Sequence, residues 1–233
     1  LEPVIKGYGE PLASNEVNLQ IMPPPDMPPA LAAKKLDAFI VAEPFNAAGE
    51  LLAGGKMLRF TGDIWRNHPC CVVCMNENKV KANPVWTQKV MNAIVKAQVY
   101  SQQNKAEVAA MLSRDGEGYL PMKANVVERA MTLYDETSYA EPEAIKNAEW
   151  ESGRIDFQPW PFPSATKLIV NELKNTLVGG DTTFLSDLDP DFVVNDLVDY
   201  EFVKIAMEKH VGWKDAPGFN AASPFDREEI ISL

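Results

Sequence analysis

The chain of 233 residues has few of the residue types on which several functions depend. It holds only three cysteines, all between positions 70 and 74, and two histidines, His68 and His210. An odd and clustered set of cysteines is a poor basis for a disulfide framework. Lysine and arginine number 22 against 33 aspartates and glutamates, a net charge of −11. This balance argues against a surface for nucleic acid or anionic membrane, since both require local positive charge.

Long apolar runs and catalytic signatures are also missing from the sequence. No apolar run reaches the about 18 residues that indicate a membrane-spanning helix. No basic segment followed by an apolar one opens the chain, so no signal peptide is visible. The motifs G-x-S-x-G, G-x-G-x-x-G, H-E-x-x-H and the Walker loop do not occur. We therefore predict a binding protein rather than an enzyme, with no catalytic residue, cofactor or metal.

Apolar segments in the first third of the chain predict short strands. The strand candidates are residues 17–21, 36–41, 57–60 and 70–75. Helix signals lie between them: Asp26 is a candidate cap, and Pro44 can open a helix that ends at Gly54 and Gly55. This β-α-β-α-β order predicts an α/β layered architecture with a largely parallel sheet.

The pattern becomes helical after residue 80. Asn83 and Pro84 predict the start of a long helix that runs to about Asn104. Ser164 is predicted to cap a later helix, because the prolines just before it exclude a helix there. Further helices are predicted at about 105–113, 123–135 and 164–177, and in two pieces over 188–209. The C-terminal half is thus expected to be largely helical.

Three motifs, in this order and spacing, resemble one protein family. They are Leu36-Asp-Ala-Phe-Ile-Val-Ala-Glu-Pro-Phe-Asn46, Gly62-Asp-Ile-Trp-Arg-Asn-His-Pro69, and Asn83-Pro84 at the start of the long helix. The set resembles the substrate-binding proteins of ABC importers for nitrate, sulfonates and bicarbonate, the NMT1-like family. That family has a D-A-F/Y-x-V-x-E-P turn followed some two dozen residues later by a W-x-x-H-P loop.

The resemblance implies part of a type II periplasmic-binding-protein fold, in which two α/β lobes enclose a ligand. Members usually carry a long segment before the counterpart of residues 17–21. We therefore expect this chain, which begins with Leu1, to lack the N-terminal part of the family fold. On this expectation residues 1–42 form the end of the second lobe. Residues 43–233 then form the closing part of the first lobe and the C-terminal helices.

The function implied by the resemblance is solute binding for an ABC importer. The protein would close on a small-molecule ligand by a hinge and dock on the transporter permease, in a periplasmic or extracytoplasmic membrane-associated location. It would contact the membrane only through the transporter or an upstream anchor, and would bind no nucleic acid. Two alternatives stay open: a cytosolic ligand sensor on the same fold, and a thiol or metal enzyme that pairs Cys70 or Cys71 with His210.

Four residues are predicted to contact the ligand: Glu43, His68, Cys70 and Cys71. Glu43 lies between a predicted strand and a helix, where ligands of open α/β folds gather, but a first-turn Glu is also favoured by the helix dipole. In nitrate- and bicarbonate-type relatives, charged residues tend to follow the His-Pro pair, whereas this chain has Cys70 and Cys71. A neutral pair favours a less charged or more apolar ligand, because an unpaired anion is costly to desolvate.

The cysteine segment has two further interpretations. Free cysteines behave as small hydrophobic residues, so the segment can be a buried strand. His68 with thiolates can also bind zinc or copper. In a strand, however, Cys70 and Cys74 would lie on one face and Cys71 on the other, so one ion could not easily bind all three sulfurs.

Overall fold

The computed structural model describes residues 18, 20–140, 143–174, 181, 183–215 and 224–232. Within these ranges the chain forms eleven α-helices. They are α1 Met27–Ala32, α2 Phe45–Ala53, α3 Thr61–Ile64, α4 Glu77–Ala82, α5 Pro84–Gln103, α6 Lys105–Leu112, α7 Ala124–Thr132, α8 Pro163–Leu173, α9 Thr183–Ser186, α10 Pro190–Leu197 and α11 Glu201–Lys209. Short 3-10 helices form at Pro24–Asp26, Ala148–Trp150 and Val211–Asp215.

The predicted helices are confirmed within the described residues, which do not include 175–177, but three predicted caps are not. Asn83 precedes α5, but its side chain makes no capping hydrogen bond. α2 ends at Gly54, which adopts the left-handed conformation with φ of 67° that glycine favours. Asp26 precedes α1, but its side chain makes no capping hydrogen bond. The cap predicted at Ser164 is wrong, because α8 begins one residue earlier and Phe162 precedes it. The Ser164 hydroxyl donates instead to Glu229 over 2.7 Å.

The expected parallel sheet is not found in the described residues, which is the main correction to the α/β prediction. Segments 36–41, 57–60 and 70–75 form no strands, and the candidate at 17–21 lies partly outside the described residues. A strand needs a neighbour to pair its backbone groups, and apolar pattern alone does not supply one. Ile40 and Val72 are both 73% exposed. The one pairing of this kind in the described ranges is an antiparallel bridge between Trp65 and Ile231.

The largest core cluster lies where α5 and α11 pack together. Val95 of α5 and Met207 of α11 are almost fully buried there. The other buried members of this cluster are Trp160, Phe162, Ala165, Val203, Ala206 and Trp213. This core ties the C-terminal helices to the middle of the chain.

Helix α7 forms the second part of the interior, because it packs against both α2 and α6. Val126 and Ala130 contact the small residues Ala47 and Ala48 of α2. On the other side, Val127 and Met131 pack with α6. Small residues on α2 allow close approach: a Cβ on Gly49 would lie 2.7 Å from the ring of Phe39. The segment before Glu43 is therefore held against α2.

Candidate functional site

Glu43, the first predicted ligand contact, lies in a buried ion-pair network centred on Arg154. Arg154 Nε donates to Glu43 Oε1 over 2.6 Å, and Arg154 Nη2 donates to Glu50 Oε2 over 2.7 Å. Its third donor, Nη1, bonds to the hydroxyl of Tyr139 over 2.6 Å. The Arg154 side chain is fully buried, and the two glutamates are 10% and 9% exposed. We call these four residues, with Arg129, the Arg154 network.

The remaining contacts of the Arg154 network involve the start of α2 and Arg129. Glu43 Oε2 accepts the backbone N–H of Ala47, which lies in the first turn of α2. Arg129 Nη2 donates to Glu50 Oε1 over 2.9 Å. Glu43 thus acts within the protein as both an ion-pair partner and a helix-end acceptor, and the carboxylate joins residues that lie 111 positions apart.

The two glutamates of the network respond differently to burial. Burial raises the pKa of Glu43, and this effect exceeds the opposing attraction of Arg154. Burial also acts to raise the pKa of Glu50, but hydrogen bonds from Arg129 and Arg154 outweigh it and lower the pKa. The difference has two causes: burial acts more strongly on Glu43, and Glu50 has two guanidinium partners where Glu43 has one.

Asp63 anchors the short helix α3 that leads into the W-x-x-H-P loop. Its side chain is fully buried and forms an ion pair with Arg59 over 2.6 Å. The two carboxylate oxygens also accept the backbone N–H groups of Lys146 and Asn147, each over 2.9 Å. Charge-assisted bonds of this kind are stronger than neutral ones. The start of the loop is therefore fixed against the 144–150 region.

Trp65, the first residue of the loop motif, is held by a carboxylate from the C-terminal segment. The indole N–H of Trp65 donates to Glu229 Oε2 over 2.6 Å. Ser164 and Arg227 also donate to Glu229, with Arg227 Nε at 2.7 Å. Backbone bonds between 64–66 and 230–232 strengthen the same contact. We call Trp65, Ser164, Arg227 and Glu229 the Glu229 cluster.

His68, the second predicted contact, lies against this cluster and is half-buried. Its ring packs edge-on to Trp65, with ring centroids 5.3 Å apart. Burial and the nearby positive charge of Arg227 lower the pKa of His68. The lowered pKa favours the neutral imidazole at physiological pH, in which one ring nitrogen donates a hydrogen bond and the other accepts one.

Cys70 and Cys71, the last two predicted contacts, are exposed together with Cys74. The interpretation of a buried cysteine strand is therefore wrong: the segment has no strand partner in the described residues and stays at the surface. The sulfurs of Cys70 and Cys71 lie 3.6 Å apart. Burial of part of Cys70 and its hydrogen bond with Cys71 raise the pKa of Cys70.

The structure brings three of the four predicted residues together on one loop and places the fourth elsewhere. Among the described residues, no hydrogen bond, ion pair or ring contact joins Glu43 to His68, Cys70 or Cys71. Two shallow concavities of about 400 Å³ and 370 Å³ occur, near the α6–α7 connection and at the start of α5, and none of the four residues lines them. The ligand role of each residue stays a prediction.

The sequence pattern does not reveal the residues that hold the loop and the network. Arg154, Arg227 and Glu229 carry no local motif, and each contacts residues from a distant part of the chain. In the ranges that the structure describes, no group of three or more His, Cys, Asp and Glu side chains is placed to hold a metal ion. None of the helices described is long and apolar enough to cross a membrane.

Comparison with known proteins identifies a family match and several relatives. Residues 4–113 match the NMT1-like family. The nitrate/nitrite binding protein NrtA of Nostoc sp. is 31% identical over 117 residues, which cover 49% of this chain and 26% of that protein. NrtA of Synechococcus elongatus is 25% identical over 138 residues, which cover 58% of this chain and 30% of that protein.

A third relative is the nitrate import ATP-binding protein NrtC of Synechocystis sp., 28% identical over 133 residues, which cover 56% of this chain and 20% of that protein. No solved structure matches the chain. The chain thus spans less than a third of the length of each of these three curated relatives. The matches confirm the resemblance that the sequence motifs indicated.

Proposed function

Because the chain carries an NMT1-like segment at residues 4–113, we propose that it is the solute-binding component of an ABC importer. The family match carries this proposal, supported by two relatives that are nitrate/nitrite binding proteins by name. The work of such a protein is reversible binding, in which the solute shifts the balance between open and closed forms and no bond is made or broken.

The proposed ligand-binding surface is the W-x-x-H-P loop together with the two cysteines that follow it, residues 65–71, which we call the ligand wall. Its first residue, Trp65, is fixed by the Glu229 cluster, and the loop then leads to His68 and the exposed thiols of Cys70 and Cys71. A wall that is anchored at one end and accessible at the other suits binding, because the contacting groups are held in place before the ligand arrives. Glu43 contributes as a residue of the Arg154 network, which holds the start of α2.

The chemistry of this wall favours a solute with less charge than nitrate or bicarbonate. His68 is neutral at physiological pH, and Cys70 is a thiol there because its pKa is raised. Arg227, the cation that acts on His68, is already paired with Glu229 through two bonds of 2.7 and 3.1 Å. An anion placed against these groups would lose hydration without gaining a charged partner among them.

We assign the parts of the fold and the partners on the same basis. Residues 1–42 would belong to the second lobe of a two-lobed fold, and residues 43–233 to the first lobe. The closed form would dock on a transporter permease in the periplasm or at the outer face of the membrane. The relative NrtC is an ATP-binding protein of nitrate import by name, which supports a transporter as the partner.

A thermal-shift titration of the full chain tests the proposal. The panel contains nitrate, nitrite, bicarbonate, alkyl sulfonates and pyrimidine precursors. A solute at a hundred times its dissociation constant adds about 2.7 kcal/mol to the free energy of unfolding. For a chain of this size that corresponds to a rise in Tm of about 5–11 °C. We expect one uncharged or weakly charged solute to give such a rise.

A triple variant shows whether the proposed wall is the site. His68→Ala, Cys70→Ala and Cys71→Ala together should abolish the shift, while the matched control Cys74→Ala should keep it. An unchanged shift in the triple variant would contradict the assignment of the wall. No shift with any solute, in a chain that unfolds cooperatively, would contradict the proposed function.

A further inference from the structure

Two neighbouring sulfurs of the chain lie close together on its surface. Cys70 Sγ and Cys71 Sγ are 3.6 Å apart, and both residues are exposed. In a regular strand, successive side chains point to opposite faces. The local conformation of this irregular segment instead brings both thiols to one place. A reagent that reaches one sulfur therefore reaches the other.

We propose that Cys70 and Cys71 form a two-thiol binding site for a monosubstituted trivalent arsenical. Thiolate sulfur is a soft ligand that prefers soft, thiophilic centres. Trivalent arsenic bonds to two sulfurs at a narrow angle, so the sulfurs must lie close together, as they do here. A linear two-coordinate ion would need them farther apart. The site lies outside the Arg154 network and the Glu229 cluster, and it uses two residues, Cys70 and Cys71, that also belong to the proposed ligand wall.

The bonding step is a condensation and needs no oxidant. An organic arsenic oxide, R–As=O, reacts with the two S–H groups to form two As–S bonds. The two thiol protons leave with the arsenic oxygen as one molecule of water, and arsenic stays trivalent. Oxidation to a disulfide is a different reaction, which would need an oxidant and the specific geometry of an S–S bond.

The two As–S bonds close a ring through the arsenic atom. This ring explains why the pair of thiols should bind the arsenical far better than a single thiol does. Once the first As–S bond has formed, the second sulfur is already within a few ångströms, at a high effective concentration. Two-point attachment of this kind exceeds single-point binding by about 10²–10⁴-fold. Cys74 provides the internal comparison, because it is also an exposed cysteine of the same segment.

Titration of the full chain with phenylarsine oxide tests the proposal by mass spectrometry of the intact protein. We expect one adduct for each chain, with loss of one water. The adduct should persist in excess monothiol and be released by a dithiol such as ethanedithiol. Cys70→Ser and Cys71→Ser should each weaken binding by about 10²–10⁴-fold, whereas Cys74→Ser should leave it unchanged.

Three results would overturn the proposal. These are the absence of any adduct in a chain whose cysteines still react with iodoacetamide, equal weakening by Cys74→Ser, and an adduct that monothiol releases as readily as dithiol does. Circular dichroism shows whether each serine variant keeps its helices, and the exposure of all three cysteines leads us to expect that it does. Because no solute is involved, failure of this site and failure of the proposed function are distinguishable.

Discussion

Replacing Arg154 by methionine should strongly destabilise the fold, because the Arg154 network depends on this one cation. Methionine keeps a long apolar side chain but removes the guanidinium. The change deletes three hydrogen bonds, to Glu43, Tyr139 and Glu50, from a side chain that is fully buried. It also removes the positive charge that lies 5.3 Å above the ring of Phe60.

The expected loss comes mainly from the carboxylate that is left behind. Glu50 keeps Arg129 as an ion-pair partner, whereas Glu43 keeps only the backbone N–H of Ala47. Removing one member of a buried ion pair costs about 3–5 kcal/mol, because the other charge stays buried without compensation. This is a large part of the about 5–15 kcal/mol by which domains are stable.

The stability that Arg154→Met loses should depend on pH, and the titration of Glu43 determines the direction of this dependence. Without Arg154, burial and the charge of Glu50 raise the pKa of Glu43 further above its ordinary value of 4.5. A carboxyl whose pKa is higher in the folded state loses stability as the pH rises from the unfolded value through the folded one. The deficit of Arg154→Met should therefore be smaller in mildly acidic buffer than in neutral buffer.

Urea unfolding followed by circular dichroism measures this effect. The matched control is Lys81→Met, since Lys81 forms an ion pair with Glu77 that is exposed on both sides and should matter little. Adding Glu43→Gln to Arg154→Met should restore part of the lost stability, because it removes the uncompensated charge. If Arg154→Met is no more damaging than Lys81→Met, or if Glu43→Gln restores nothing, the reasoning is refuted.

Three further predictions concern other parts of the molecule. Asp63→Ala should lower the free energy of unfolding by about 3–5 kcal/mol in urea titrations, because it leaves Arg59 without its buried partner; a loss near zero would contradict the anchoring role. Met207→Ala should lower the free energy of unfolding by about 2–5 kcal/mol in the same assay, because it leaves a cavity in the core. Met111→Ala, at an exposed position, should change it by no more than about 0.5 kcal/mol. Alkylation of Cys70 by iodoacetamide, followed by peptide mapping, should become fast only at higher pH than for an ordinary thiol, because its pKa is raised; half-maximal rate at lower pH would contradict this.

The helices could be predicted from the sequence because their signals are local. Pro84 at a first helical position and Gly54 beyond a last one are short-range features that act through backbone geometry. The sheet that the sequence predicted is not found in the described residues, because strand pairing joins distant segments and the apolar pattern of residues 36–41 or 70–75 does not reveal whether a partner exists. Strand-like patterns and strand pairing are separate requirements, and the described residues meet the first without the second.

For the site as well, the sequence predicts what lies close together along the chain but not which distant residues come into contact. The motif identified the loop that carries His68, Cys70 and Cys71, because the residues are consecutive or nearly so. It did not reveal that Glu43 pairs with Arg154, 111 positions away, or that Trp65 bonds to Glu229, 164 positions away. These contacts depend on tertiary packing, and no spacing rule along the chain encodes them.

The most direct test of the central claim is solute binding to the full chain by isothermal titration calorimetry. The wild type, the triple variant of His68, Cys70 and Cys71, and Cys74→Ala would each be titrated with the solute that gives the largest thermal shift. We predict saturable binding to the wild type and to Cys74→Ala, and no measurable binding to the triple variant. Equal affinity in all three proteins, or no heat of binding in any of them, would contradict the account.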